Sequence, residues 1–236
     1  MIEGHEPAAF AALLGRLVDA AAPEPGRRWL AGQLAQPGSR AQLHLAFAAA
    51  GRRLGPRPLR VNSGEPGVTP ALLLQLSGRG LDELGRVALL FSALGADGAQ
   101  DAELIEQLFL RGGAGEQQAI LRALPLLPEP SRFIALGVAA CRSSVQTIFE
   151  AIACENSFPA DRFDELAFNQ MVLKALFNGV RTSRIEGLAR RAGPELRRMV
   201  LEYAAERRAA GRSVPEDIEA IRALVDSQTP SQGSHA

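Results

Sequence analysis

Residues 164–186 read Asp-Glu-Leu-Ala-Phe-Asn-Gln-Met-Val-Leu-Lys-Ala-Leu-Phe-Asn-Gly-Val-Arg-Thr-Ser-Arg-Ile-Glu, and this spacing leaves few folds open. At about 100° per residue, Phe168, Met171, Val172, Ala175 and Leu176 fall on one side, the stripe of a helix that packs into a core. Leu173, Phe177 and Val180 widen the apolar arc until Gln170, Lys174, Asn178 and Arg181 remain as a narrow polar edge. A helix apolar around so much of its circumference is nearly all buried, so other elements must enclose it. Asn169 falls inside the arc, where a buried amide without a partner costs about 1–3 kcal/mol, and a hydrogen-bond partner is expected for it. Gly179 marks the C-terminal stop, and Thr182 or Ser183 can cap a following helix.

The enclosing elements read as more helices. Pro7–Ala22, a helix from Pro25 carrying Trp29, Leu30 and Leu34 inward, and a third capped by Ser39 open the chain. After a Pro/Gly-rich stretch, helices are expected from Thr69–Pro70 through Leu76, then over 81–94, 101–110, 116–124, 130–142, 144–155, 161–179, 183–191, 194–210 and 215–225. Aromatic residues make up 5% of the chain against 47% hydrophobic overall, which suits helices packed through aliphatic side chains better than a β-sandwich. The expectation is an all-α fold: an antiparallel helical-hairpin array, either a HEAT-like solenoid of helical repeats or an irregular helical bundle. Its parts are N-terminal helices over 1–54, a connector over 55–69, a helical array over 70–227 and a disordered tail over 228–236.

Charge and motif content exclude several kinds of chemistry. The formal net charge is zero, so no global basic field draws the chain to nucleic acid. Cys141 and Cys154 belong to no Cys-X-X-Cys pair or Cys/His cluster and read as small core residues, so no metal is expected. Asp82-Glu83 and Glu103/Glu106 read as exposed helix charge, and His44 as a helix-flank residue. Asn62-Ser63-Gly64 beside Arg57 and Arg60 suggests an anion-binding turn, although its spacing matches no phosphate-loop fingerprint. No cofactor fingerprint is present. The acidic start Met1-Ile-Glu-Gly-His-Glu lacks the basic region of a signal peptide, and no apolar run reaches the roughly 18 residues of a membrane span. A cytoplasmic protein without a transmembrane segment is expected.

The polar set that stands out is Asn169, Gln170, Lys174, Asn178, Arg181 and Arg184, with Glu150, Glu155 and Asn156 just upstream as partners. Lys174 is the chain's one lysine. Cations beside amides can bind an anionic or polyhydroxylated small molecule, and the same groups can tie helices together.

The run Phe168–Val180, followed by Arg184-Ile185, Glu195-Leu196, Met199 and Tyr203-Ala204, resembles the C-terminal half of EboA-domain proteins. So do Glu129-Pro-Ser-Arg-Phe133 and Ala140-Cys-Arg-Ser143 leading to Phe149-Glu-Ala-Ile-Ala153. The likeness covers about the last hundred residues well and carries no catalytic residue set. It implies a role in metabolite traffic, with partners drawn from gene-cluster enzymes: a membrane-associated prenyltransferase-like protein and sugar-isomerase-like and hydrolase-like enzymes. The favoured reading is a non-enzymatic adaptor or carrier for a secondary-metabolite or lipid-like intermediate. The alternative is an enzyme of unrecognised type centred on Lys174 with an acid such as Glu150. A nucleic-acid binder using Arg190-Arg191 and Arg197-Arg198 is disfavoured by neutral charge and scarce stacking aromatics.

Overall fold

The structure, a computed structural model, describes residues 6–36, 38–61, 64–95 and 97–228. The start Met1–His5, Asn62-Ser63 of the suggested anion turn and the expected tail from 229 onward lie outside the described residues, while Gln228 still belongs to a helix. The fold is all-α. Among the described residues no strand forms, and Pro58 and Gly80 make an isolated antiparallel bridge. Packing divides the chain into two compact units, with the division at Gly137 and Val138 inside α8 (Ile134–Cys141).

The first unit holds α1 (Pro7–Ala21), α2 (Glu24–Ala35), α3 (Arg40–Leu54), α4 (Pro70–Leu76), α5 (Leu81–Ala93), α6 (Gly98–Arg111) and α7 (Ala114–Ala123). Its centre is α5, buried from Leu81 to Phe91 except for a half-buried Asp82, and packed by α1, α2, α3 and α7. Gly85 permits this crowding, since a Cβ there would stand 2.2 Å from Leu54 Cδ1. Phe10 of α1 meets Phe91 edge-on at 4.7 Å, an arrangement that lets a positive ring edge face a negative ring face. Ser39 caps α3 through a reciprocal box with Gln42, and the Thr69 hydroxyl caps α4. Both helix starts follow from residues whose side-chain oxygens accept from orphan backbone N–H groups.

The first half of the 55–69 connector is tied down: Leu59 is buried, and four backbone bonds join Gly55, Arg57 and Leu59 to Gly78–Asp82. One expectation changes here. Glu83 is not exposed helix charge; it is 8% exposed and sits between Arg79 and Arg122, with Nη1 of Arg122 at 2.7 Å. Burying a carboxylate requires paired cations, and these come from α7 and from the turn before α5. Glu103 and Glu106 are exposed as expected.

The second unit mixes short helices with long ones. They are α9 (Gln146–Ala153), α10 (Phe158–Arg162), α11 (Glu165–Phe177), α12 (Leu188–Arg191), α13 (Pro194–Ala209) and α14 (Asp217–Gln228). The expected helix over 161–179 breaks at Phe163, which is extended, and restarts where the Asp164 carboxylate accepts from Ala167 N–H at 2.7 Å. The expected helix over 183–191 shrinks to a 3-10 turn, Thr182–Arg184, and the single turn of α12, because Gly187 between them adopts φ +70°. The core stripe Phe168, Met171, Val172, Ala175 and Leu176 is buried as the periodicity requires. Phe177 is 62% exposed and Leu166 60%, so α11 is enclosed on one side rather than all round. Phe177 instead lies 4.3 Å from the ring of Tyr203 on α13.

Candidate functional site

The polar edge of α11 divides into members that hold the fold and members that face outward. Lys174 Nζ donates to the carbonyls of Cys141 and Ser143, each at 2.7 Å, and stands 5.1 Å from the centre of the Phe149 ring. Cys141 ends α8, where the last carbonyls lack intrahelical partners and the helix dipole is negative. A cation delivered there from a neighbouring helix closes that end. The thiol of Cys141 is pushed up to about 12, chiefly by burial, so it stays protonated and unreactive near neutral pH. Cys154 is likewise buried, as expected of a small core residue.

Arg184 binds both acids available to it. Its Nε and Nη2 take the two oxygens of Glu155 at 2.8 and 3.0 Å, and Nη1 takes Glu150 at 2.7 Å. Glu155 returns a bond from its backbone N–H to the Arg184 carbonyl. These contacts fix Glu155 at φ +47°, a left-handed conformation that costs a non-glycine residue about 1–2 kcal/mol. The two carboxylates hold the Arg184 guanidinium above its ordinary range, Glu155 contributing most. Asn156 is buried and satisfied, donating to Ala151 O and accepting from Phe158 N. Gln170, Asn178 and Arg181 are exposed.

Asn169 departs from expectation. It is 1% exposed, yet neither its oxygen nor its nitrogen finds a hydrogen-bond partner among the described residues. Thr182 does not cap the next helix either. Its N–H and hydroxyl both donate to Asp217 Oδ1, at 2.8 and 2.6 Å, which ties the start of α14 to this turn.

The arginines weighed as nucleic-acid contacts all have acceptors. Arg191 donates to the carbonyls of Ala160 and Phe163, both at 2.9 Å, Arg190 reaches Asp161, Arg197 reaches Asp226, and Arg198 reaches Glu195 and Glu202. Among the described residues no cluster of His, Cys, Asp and Glu is placed to hold a metal ion, and no helix is long and apolar enough to cross a membrane.

The first unit carries an open groove of about 830 Å³ between α2, α3, α5 and α6. Trp29, expected to point into the core, is half-buried at its wall. A signal was present in the sequence: Trp29, Gln33 and Gln36 recur at i, i+4 and i+7, a helix face led by an aromatic and continued by neutral amides.

Fold and polar architecture together define an all-helical protein with a small-molecule-sized groove and with cations closing the ends of short helices. The chain belongs to the EboA family: the family model described as "Metabolite traffic protein EboA" matches residues 11–222, so the match begins within α1 and reaches into α14. The family description supports a trafficking role in general. Comparison with curated proteins and with solved structures gives no match.

Proposed function

We propose that this EboA-family protein is a non-enzymatic adaptor or carrier that binds a secondary-metabolite or lipid-like intermediate and presents it to the enzymes that act on it. The observation that carries the reading is the engagement of Lys174. Its ammonium closes the end of α8 through two backbone carbonyls, and Glu150, its suggested acid, is held by Arg184 instead. A lysine that acts as base or nucleophile must present its amine to a substrate, and this one is held against two backbone carbonyls instead. That arrangement favours binding over turnover, in keeping with the traffic role of the family.

The test is to incubate the purified protein with a small-molecule cell extract, re-isolate it by gel filtration, and identify by mass spectrometry what denaturation releases. The expected result is a compound recovered chemically unchanged, in an amount that saturates near one equivalent. Consumption of many equivalents with appearance of a product would overturn the reading.

A further inference from the structure

We infer that the groove between α2, α3, α5 and α6 is a binding site for a neutral amphipathic small molecule, one with a hydroxyl- or carbonyl-bearing head on an apolar arm. The inference rests on the carrier reading and names its site and cargo class. The groove's volume, about 830 Å³, lies in the range of small-molecule sites, which run from roughly 300 to 1,000 Å³. Its floor is apolar, made by buried Leu43, Ala46, Leu89 and Leu104, with Leu45 of α3, 72% exposed, on the lining.

The polar groups around that floor divide into two kinds. The charged ones already have partners. Asp97 accepts from the first N–H groups of α6 and from the Gln100 amide, Asp101 accepts from Gly95 N–H, and Arg40 faces Glu103 and the Gln100 carbonyl. The backbone at the start of α3 is closed in the same way by Ser39 and Gln42. Two helix N-termini therefore reach the groove with their donors occupied, which removes the usual basis for holding an anion there. The groups without a side-chain bond among the described residues are Gln33, Gln36 and the indole N–H of Trp29. These are neutral, and together they offer donors and acceptors of both senses. An anionic head would meet Asp97 and Asp101 and find Arg40 already facing Glu103, whereas a hydroxyl or carbonyl would find an amide, and an apolar arm would cover the floor.

The groove can be closed without disturbing the fold. Gly32 lies on its wall in α2, and a Cβ added there meets no atom within 4 Å. Gly32→Leu fills the space, and the change from glycine also favours the helix. The chain's one tryptophan is Trp29, so intrinsic emission reports on the groove directly.

The experiment titrates the full-length protein with octyl glucoside below its micelle concentration, with methyl glucoside lacking the apolar arm, and with octanoate lacking the neutral head. Calorimetry gives affinity and Trp29 emission gives location. Octyl glucoside is expected to bind saturably with an emission shift, methyl glucoside and octanoate at least tenfold more weakly, and Gly32→Leu to lose at least tenfold in affinity while melting at or above the wild-type temperature. Equal affinity in Gly32→Leu, or octanoate binding as well as octyl glucoside, overturns the inference, as does the absence of saturable octyl glucoside binding. The extract experiment separates the two readings: a compound recovered equally from wild type and Gly32→Leu leaves the carrier role standing and removes the groove, whereas no compound from wild type, with octyl glucoside still bound, does the reverse.

Discussion

The two units bury polar groups in different ways. In the first, centred on α5, buried cations meet carboxylates as well as carbonyls: Glu83 lies between Arg79 and Arg122, Arg86 pairs with Asp82 at 2.8 Å, and Arg79 and Arg86 also donate to the carbonyls of Arg122 and Phe47. In the second, Lys174 and Arg191 bind backbone carbonyls at the ends of α8 and α10. Helix length accounts for the contrast. The central helices of the first unit, α1, α3, α5 and α6, run 13–15 residues, whereas the second unit sets α9, α10 and α12, of 8, 5 and 4, among the long α11, α13 and α14, of 13, 16 and 12. Each helix end leaves up to four carbonyls unpaired, so a unit cut into short helices has more orphan acceptors per residue, and cations from neighbouring segments satisfy them.

The largest effect expected from this contrast is at Glu83. Glu83→Ala leaves the buried guanidinium of Arg79, 7% exposed, with the neutral acceptors of Arg122 and Gln75 but without its counter-charge, and breaking a buried pair by removing one member costs about 3–5 kcal/mol. Urea unfolding measures it, and a loss under about 1 kcal/mol would mean that the pair is effectively solvated and the contrast between units is unreal. A smaller effect of opposite sign is expected at Asn169. Replacing an unbonded buried amide by Leu removes a desolvation cost of about 1–3 kcal/mol, so Asn169→Leu should raise the denaturation midpoint. A fall instead would show that the amide has a bonding partner.

How much of this was legible in the sequence depended on the range of the interaction. Ser39 with Gln42, and Thr69 before Pro70, act within one helical turn, and both caps form where the residues place them. The buried stripe of α11 follows from period alone. Arg184 and its acids, about 30 residues apart, were recognisable as complementary types but not as a bidentate pair. Glu83 was misread because its burial depends on Arg122, 39 residues away, and periodicity carries no information at that distance. Phe177 was misread for a related reason: an apolar residue at a helix end is covered only if a neighbour extends that far, and Tyr203 covers one side of it. The groove escaped notice because its floor is ordinary core sequence and its walls come from four helices.

The central claim is that Lys174 closes a helix end and that cargo binds elsewhere. Its direct test is chemical denaturation of Lys174→Met combined with the octyl glucoside titration. Methionine keeps the apolar stem and removes the two bonds to the carbonyls of Cys141 and Ser143. Because the side chain is half-buried, a loss of about 1.5–2 kcal/mol is expected, the lower part of the range for hydrogen bonds to charged groups. Octyl glucoside affinity and the Trp29 emission shift should remain at wild-type values. Unchanged stability together with abolished ligand binding would contradict the account and place the site at Lys174.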